Sequence, residues 1–291
     1  MSAVIRPGGD GPSVHTLNIH PTAVVHPGAR IGRDVEIGPY CIIGKNVEIG
    51  DGSKLLANVV VHGHTHLGSE NVVYPFAVIG GTSQDKKFRG EVSYVRIGDR
   101  NQIREYVTVN RGTDAGSSTT IGSDCHLLAY VHIAHDCHVG DRVVMSNLTQ
   151  LAGHCIVGDG ANISGMVGVH QFVRIGRLAF IGGRSKILKD CPPFMLVEGN
   201  PAWVRGLNRV GLKRQGVSNA AQTELKEAYR ALYLGDGTLS GAVEQLRDRV
   251  TTDEGKELVA FFLDESQRGF TTREIRRGRA VAPTEDEAGF D

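Results

Sequence analysis

The sequence predicts a mainly β protein: a parallel β-helix built from hexapeptide repeats, followed by a small α-helical C-terminal domain. An apolar residue recurs every sixth position from Ile19 to Ile187, and 26 of those 29 positions hold Ile, Leu, Val or Met. Glycine contributes 38 of the 291 residues, about 13% and nearly twice its ordinary share. Beyond the repeat, apolar residues adopt helical spacing.

Within each repeat, the residue after the apolar position is often glycine, as at Gly32, Gly38 and Gly44. Glycine there permits backbone torsions that a side chain would penalise. The position two residues before is small or β-branched. This pattern resembles the left-handed parallel β-helix family, in which three hexads form one triangular coil; the resemblance alone implies the hand. Coils should rise by ~4.8 Å, and residues 18 apart should stack.

The five cysteines support this interpretation, because each lies two residues before an apolar frame position. The sequence therefore predicts buried, inward-facing thiols rather than disulfides or a nucleophile. These residues are Cys41, Cys125, Cys137, Cys155 and Cys191.

The domain organisation follows from where the repeat starts, breaks and stops. We expect an N-terminal extension over 1–16, the β-helix over 17–191 with an external loop at 81–96, a linker and helical domain over 192–275, and a polar tail over 276–291. Long loops in compact folds are often functional; a smaller loop is expected near 111–119. The apolar spacing predicts helices over 218–234, 239–250 and 253–267.

Composition excludes several functions. Lys+Arg and Asp+Glu both number 32, which argues against a general nucleic-acid binder. No run of 18 apolar residues is present, so we expect no stable membrane insertion. The N-terminus lacks the apolar stretch of a signal peptide, which predicts a cytoplasmic protein.

Four histidines and one aspartate fall on one outer strip of three consecutive coils. The segment that holds His132, His135 and Asp136 lies one coil beneath the segment that ends at His154, and that segment lies one coil beneath the one that holds His170. None of these positions is an inward slot. A solvated edge with incidental histidines is the alternative, but the clustering favours a site.

The chemistry of this strip is that of acyl transfer. A histidine beside an aspartate is the usual arrangement for a general base, and Gly153, stacked on His135, offers a backbone N–H to an oxyanion. A hydroxyl or amine attacking an activated acyl group is the predicted reaction. Because an outer prism face has no cleft of its own, a second subunit should wall the site in a closed homo-oligomer.

Two other features are weaker. Strand alternation would place His62, His64 and His66 on one side, but no supporting carboxylate is evident, so no metal site is expected. Between residues 174 and 214, the sequence has nine Lys or Arg residues and only two acidic residues. That excess indicates either a solvated surface or an acidic or phosphate-bearing partner.

The segments VHIAHDC, LAGH and GVHQF, with IGDRNQIREYVTVNRGT, SQDKKFRGE and GLKRQG in matching order, carry a specific likeness. From about residue 17 to the C-terminal helices, the chain resembles the UDP-N-acetylglucosamine O-acyltransferases that begin lipid A synthesis. The resemblance implies transfer of a 3-hydroxyacyl chain from acyl carrier protein to the glucosamine 3-position. It also implies a homotrimer with sites between subunits, no metal, and no cofactor beyond the phosphopantetheine of the carrier protein.

The same resemblance implies a role for individual residues. His135 matches the catalytic base, Asp136 its orienting partner, and Gly153 the donor to the oxyanion. Further positions match residues that contact the nucleotide sugar, the pantetheine or the acyl chain: Gln84, Asp85, Lys87, His132, His154, His170, Gln171, Gly183, Asn208 and Arg214.

Four departures concern acyl length and nucleotide binding. Asn110 stands where many members have histidine, and Pro201 stands where some members have histidine. Val210 replaces a glutamate and Gln215 replaces an arginine. The alternatives within the fold are a glucosamine N-acyltransferase or a coenzyme A-dependent acetyltransferase. Those outside it are a γ-type carbonic anhydrase and a non-catalytic β-helix scaffold.

Overall fold

The computed structural model describes residues 18–273. The N-terminal extension expected over 1–16 and the polar tail expected over 276–291 lie outside the described residues. Within 18–273, short parallel strands follow one another along three flat faces, which we call sheets A, B and C.

Sheet A contains eleven strands: Asn18–Ile19, Glu36–Ile37, Lys54–Leu55, Val72–Val73, Gln102–Ile103, His126–Leu127, Val144–Met145, Asn162–Ile163, Phe180–Ile181, Met195–Gly199 and Ala202–Leu207. Sheet B contains nine: Val24–Val25, Ile42–Ile43, Val60–Val61, Val78–Gly81, Thr108–Asn110, His132–Ile133, Gln150–Leu151, Gly168–Val169 and Lys186–Ile187. Sheet C contains eight: Arg30–Ile31, Val47–Ile49, His64–Leu67, Tyr94–Ile97, Ser118–Ile121, His138–Val139, Ile156–Val157 and Arg174–Ile175.

Successive coils stack in the register that the repeat predicts. In sheet B, His132 pairs with Gln150 and Gln150 with Gly168, all parallel. The apolar frame residues point into the prism, where most of them are fully buried. All five cysteines are free and buried, which confirms the prediction made for them.

Two loops interrupt the stacking. Residues 82–93 join a strand of sheet B to a strand of sheet C, and partners across this loop are 30 positions apart instead of 18. Tyr94–Ile97, which the sequence assigned partly to the loop, is a strand because it pairs with His64–Leu67. The smaller loop at 111–117 precedes Ser118–Ile121. We call these segments the long loop and the short loop.

The stretch expected as a linker contains a hairpin. Met195–Gly199 extends sheet A in parallel with Phe180–Ile181, and Ala202–Leu207 returns antiparallel to it. The six-residue repeat cannot reveal this hairpin, because its strands no longer form a coil.

Four helices follow: α1 (Arg209–Arg214), α2 (Asn219–Leu234), α3 (Leu239–Arg247) and α4 (Asp253–Leu263). The N-cap side chains of α2, α3 and α4 each accept a hydrogen bond from the backbone three residues on, which satisfies a free N–H of the first turn. The last three helices were predicted, whereas α1 was not. α3 ends at Arg247 and α4 at Leu263, before the expected residues 250 and 267, and Val250 packs against the core from outside the helix.

Candidate active site

The centre of the site is His135 with Asp136, at the corner that follows the sheet B strand His132–Ile133. Nδ1 of His135 lies 3.0 Å from Oδ2 of Asp136. The backbone of Asp136 adopts a positive φ of 58°, a conformation that aspartate tolerates better than most residues. Its N–H donates to Thr119 Oγ1 at 2.8 Å. The corner therefore fixes both the carboxylate and the imidazole.

Both residues are buried, with 8% of His135 and 7% of Asp136 exposed. Burial by itself would raise the pKa of Asp136. The neighbouring Ser117 hydroxyl and the hydrogen bonds from His135 and from the Thr113 N–H outweigh burial, so the pKa lies below its ordinary value. Asp136 is therefore ionised near neutral pH and can only accept hydrogen bonds.

The ionised carboxylate assigns the tautomer of the imidazole. Since Asp136 can only accept, Nδ1 of His135 carries the proton and donates it, which leaves Nε2 with a free lone pair. Nε2 lies 3.9 Å from Oδ2 of Asp85, on the side where the pocket opens. Nε2 can therefore act as a base at the pocket, while Asp136 holds Nδ1 on the other side of the ring.

Gly153 lies against the face of the His135 ring. A Cβ at this position would sit 3.0 Å from Nδ1 and closer still to Cε1 and Nε2, so no residue with a side chain fits without moving the ring. The adjacent His154 N–H donates to the His135 carbonyl. Among the described residues, none accepts a hydrogen bond from the Gly153 N–H. That donor is therefore available at the pocket.

An open pocket of about 650 Å³ lies over these groups. It brings together seven of the residues singled out in the sequence: Gln84, Asp85, His132, His135, Gly153, His170 and Gln171. Gln84 and Asp85 come from the long loop, so the expectation that this face has no cleft of its own is wrong. The reason is that the loop folds back over sheet B and supplies one wall.

The other histidines are held by different contacts. Nδ1 of His132 lies 2.7 Å from Thr108 Oγ1, and burial followed by the nearby His135 lowers its pKa. His154 meets the His135 ring edge-on at 5.1 Å and stacks on Phe172 at 4.7 Å. Burial lowers the pKa of His154 in spite of the opposing charge of Asp136. Both rings therefore stay neutral at pH 7.

Six predicted site residues are not part of the pocket lining: Asp136 and His154, which contact His135 as described above, and four others. Lys87 donates its backbone N–H to Asp85 Oδ1, which shapes the loop tip. Gly183 lies at the corner between sheets A and B, next to Gly165. Asn208 is buried as the N-cap of α1 and donates its amide to the Leu178 carbonyl, and Arg214 ends that helix. Their predicted contacts with substrate stay predictions.

The departures from the family pattern have local positions. The buried Asn110 donates its amide to the Thr82 carbonyl at 2.7 Å, at the base of the long loop. Val210 is an exposed residue of α1 and Gln215 is its C-cap. Pro201 lies in the turn of the C-terminal hairpin.

The prediction for the three alternating histidines was partly wrong. His62 lies beyond Val60–Val61 at a corner, whereas His64 and His66 lie in the next strand, so the three do not share a face. Glu48 Oε2 lies 3.3 Å from Nδ1 of His66, although no carboxylate was evident from the sequence. Over residues 18–273, the trio with ligand atoms close enough for one metal ion is His135, Asp136 and His154.

The sequence missed the residues that surround the dyad from the two loops. Thr113 and Ser117 of the short loop lie beside Asp136 and His135, and Ser83 of the long loop contacts Thr113. The only available signal was the break in the repeat, because loop residues have no periodic position.

Comparison with known proteins shows the family to which the chain belongs. A family model described as "Udp N-acetylglucosamine O-acyltransferase; Domain 2" matches residues 190–271, and a bacterial transferase hexapeptide model matches residues 118–151. The acyl-[acyl-carrier-protein]–UDP-N-acetylglucosamine O-acyltransferase of Gloeothece citriformis is 50% identical over 242 residues, covering 83% of this chain and 87% of the relative. That of Stenotrophomonas maltophilia is 46% identical over 255 residues, covering 86% and 96%.

Solved structures give the same result. LpxA from Acinetobacter baumannii has a TM-score of 0.83 at 41% identity, covering 87% of this chain and 99% of that one. LpxA from Bacteroides fragilis has a TM-score of 0.84 at 40% identity, with the same coverage. The likeness confirms the predicted fold, a left-handed parallel β-helix followed by a helical domain. No helix within the described part of the chain is both long and apolar enough to cross a bilayer.

Proposed function

Because the chain belongs to the acyl-[acyl-carrier-protein]–UDP-N-acetylglucosamine O-acyltransferase family, we propose that His135 is the general base of its reaction and that Asp136 holds the imidazole. The protein is the acyltransferase of lipid A synthesis that acts on UDP-N-acetylglucosamine. The observation that supports these two roles is the 3.0 Å contact between His135 Nδ1 and Asp136 Oδ2, which leaves Nε2 free at the pocket.

In the proposed step, Nε2 of His135 takes the proton of the sugar 3-hydroxyl as that oxygen attacks the thioester carbonyl carbon. The new C–O bond creates an oxyanion, which the Gly153 N–H receives. The C–S bond then breaks, and the imidazolium returns its proton to the departing thiolate. The products are the O-acyl sugar nucleotide and the free thiol of the carrier protein.

The long loop supplies the proposed contacts to the sugar. Gln84 and Asp85 line the pocket, and Asp85 Oδ2 lies 3.9 Å from His135 Nε2. The 3-hydroxyl donates its single hydrogen to His135 Nε2, so Asp85 is proposed to accept a hydrogen bond from a different donor group of the sugar. Holding the sugar in this way would orient the 3-hydroxyl oxygen towards the acyl carbon.

We also propose that the active form is a homotrimer, on the strength of an apolar ridge beside the pocket. The ridge follows the corner between sheets A and B. Its members are all exposed: Tyr40, Phe76, Tyr106, Tyr130, Leu148 and Met166. Phe76, Tyr106 and Tyr130 stack in series at 5.0 and 4.7 Å. Asn58 separates Tyr40 from the others, and from Phe76 to Met166 an exposed apolar residue stands on this corner in every coil. Exposed apolar surface that continues from coil to coil in this way marks interaction sites.

A copy seated on the ridge would wall the pocket on its open side. Gly183 lies on the same corner, one coil beyond Gly165, so it would face the boundary between copies, where its proposed role in acyl length is exercised. Arg214, exposed at the end of α1, would then reach the nucleotide from the neighbouring subunit, whereas the buried Asn208 would act by holding the start of that helix.

Acyl carrier protein is the proposed donor and no further cofactor is needed, because the phosphopantetheine carries the acyl chain. The basic stretch is less available than its sequence indicates. Arg174 pairs with Asp190, Arg177 with Glu257 and Arg205 with Glu198. Lys186, in contrast, lines the pocket, and Lys213 is exposed near the end of α1. These two lysines are the proposed contacts for an acidic carrier.

The experiment is turnover of UDP-N-acetylglucosamine with a panel of acyl carrier protein thioesters, with mass spectrometry of the product. His135→Ala should lower kcat by ~10²–10⁴, the usual worth of a general base, and His135→Asn should fail equally. His126→Ala, an exposed histidine on sheet A, is the matched control and should turn over normally. Near-normal kcat in both His135 variants would remove the base from the mechanism.

A further inference from the structure

A buried threonine of the short loop touches both members of the proposed dyad. Thr113 is 4% exposed. Its hydroxyl lies 2.9 Å from His135 Nδ1, and its N–H donates to Asp136 Oδ2 at 3.0 Å. One residue thus contacts the imidazole through its side chain and the carboxylate through its backbone.

The same hydroxyl reaches the long loop. Thr113 Oγ1 lies 2.7 Å from Ser83 Oγ, and Ser83 Oγ accepts the N–H of Asp85 at 3.2 Å. Ser83 is also buried, and the next two residues, Gln84 and Asp85, line the pocket. The path from His135 to the loop wall therefore has two side-chain steps.

The direction of these hydrogen bonds follows from the ionised Asp136. Because Asp136 only accepts, Nδ1 of His135 carries a hydrogen and cannot accept one from Thr113. The single Nδ1 hydrogen is then shared between Asp136 Oδ2 and the Thr113 oxygen, and the Thr113 hydrogen is free to go to Ser83 Oγ. The other tautomer, with the hydrogen on Nε2, would reverse the contact and leave no base at the pocket.

We propose that Thr113 is a positioning residue for catalysis: its hydroxyl holds His135 in the base-competent orientation and couples that orientation to the seating of the long loop through Ser83. The inference rests on the proposed role of His135. It adds that the short loop is part of the active site, and that the sugar-binding wall and the base are connected by a hydrogen-bond chain.

The test compares four single variants and one double variant by steady-state kinetics. Thr113→Val keeps the shape and removes the hydroxyl, so kcat should fall by about three- to tenfold, the range that one hydrogen bond usually contributes. The KM for UDP-N-acetylglucosamine should rise less than in Ser83→Ala, because Ser83 still accepts the Asp85 N–H when the Thr113 hydroxyl is removed. Thr113→Ser restores a hydroxyl and should recover most of the kcat.

The remaining variants distinguish the Thr113–Ser83 hydrogen bond from ordinary packing. Ser83→Ala breaks the chain without touching the dyad and should raise KM, since the loop that carries Gln84 and Asp85 loses its anchor. In the double variant with Thr113→Val, the loss of kcat/KM should be smaller than the sum of the two single losses on a free-energy scale, as expected for groups in one network. Thr149→Val removes an equally buried hydroxyl that donates to Ser146 and Ser164 carbonyls, and should keep normal kinetics.

Specific results overturn the proposal. The hydroxyl does not position the base if Thr113→Val keeps the kcat of the unmodified protein, or if Thr113→Ser loses as much kcat as Thr113→Val. The same conclusion follows if the losses of kcat/KM in the double variant are fully additive. If any of these occurred while His135→Ala was inactive, the proposed function would stand without the link. An active His135→Ala would instead refute the proposed function itself, whatever Thr113 did.

Discussion

Gly153→Ala is the substitution that most directly tests the packing of the base. The added Cβ would lie 3.0 Å from Nδ1 of His135 and nearer to Cε1 and Nε2. Ordinary contact between such atoms needs about 3.5 Å or more, so the ring must retreat by roughly 1 Å. It cannot do so freely, because Nδ1 is held by Asp136 and Thr113.

A displacement of this size should be felt in kcat. A misplacement of about 1 Å at a reacting group can cost ~10²-fold in rate, and we expect at least that loss from Gly153→Ala. The backbone N–H is retained in the variant, so the loss reports the position of the ring and not the absence of the oxyanion donor. Thermal stability should fall only modestly, because φ at this position is compatible with alanine.

The assay is single-substrate kinetics at saturating carrier-protein thioester, together with a thermal melt of each variant. Gly237→Ala is the matched control, because a Cβ there meets no atom within 4 Å, and its kcat should equal that of the unmodified protein. A folded Gly153→Ala variant with unchanged kcat would refute the view that His135 must occupy its observed position to act as the base.

Two further predictions concern the prism and the ridge. Cys137→Ala should lower the free energy of unfolding by about 1 kcal/mol through lost core packing. Its kcat should be unchanged, because the thiol is buried and donates to the Ala152 carbonyl. Chemical denaturation and turnover measure the two effects, and a folded but inactive variant would contradict the inward-facing position of this thiol. Tyr106→Glu, placed in the middle of the ridge, should convert the proposed trimer to monomers, as measured by light scattering, and abolish turnover. A fully active monomer of the unmodified protein or of the variant would refute the proposed trimeric site.

The β-helix could be predicted from the sequence because each coil repeats the same physical requirement. A side chain such as Ile133 or Leu151 must fill the prism at every sixth position, so the pattern accumulates over the whole domain. The hairpin over Met195–Gly199 and Ala202–Leu207 occurs once, and α1 is too short to show a periodic face. Single elements of this kind leave no statistical trace in one sequence.

The site was predictable to the same extent as the coils that carry it. Stacking residues 18 apart was enough to place Gly153 on His135, since both lie on regular corners. Thr113 and Ser83 belong to loops outside the stacking register, so nothing in their spacing indicated that they would meet at the dyad. The burial of His135 was missed for the same reason, because the loops that cover it cannot be positioned from the repeat.

Four histidines share one strip of the sequence, and the partner of each ring distinguishes them. Nδ1 of His132 meets the Thr108 hydroxyl, and that of His170 meets the Gln171 carbonyl. His154 stacks on Phe172 and stays 3.9 Å from Asp136. Among these four, His135 alone has a carboxylate within hydrogen-bonding distance of Nδ1. A carboxylate both fixes the tautomer and stabilises the imidazolium that forms during proton transfer, whereas a hydroxyl, a carbonyl or an aromatic face provides less of either. The pattern of hydrogen bonds, more than the number of histidines, assigns the base to His135.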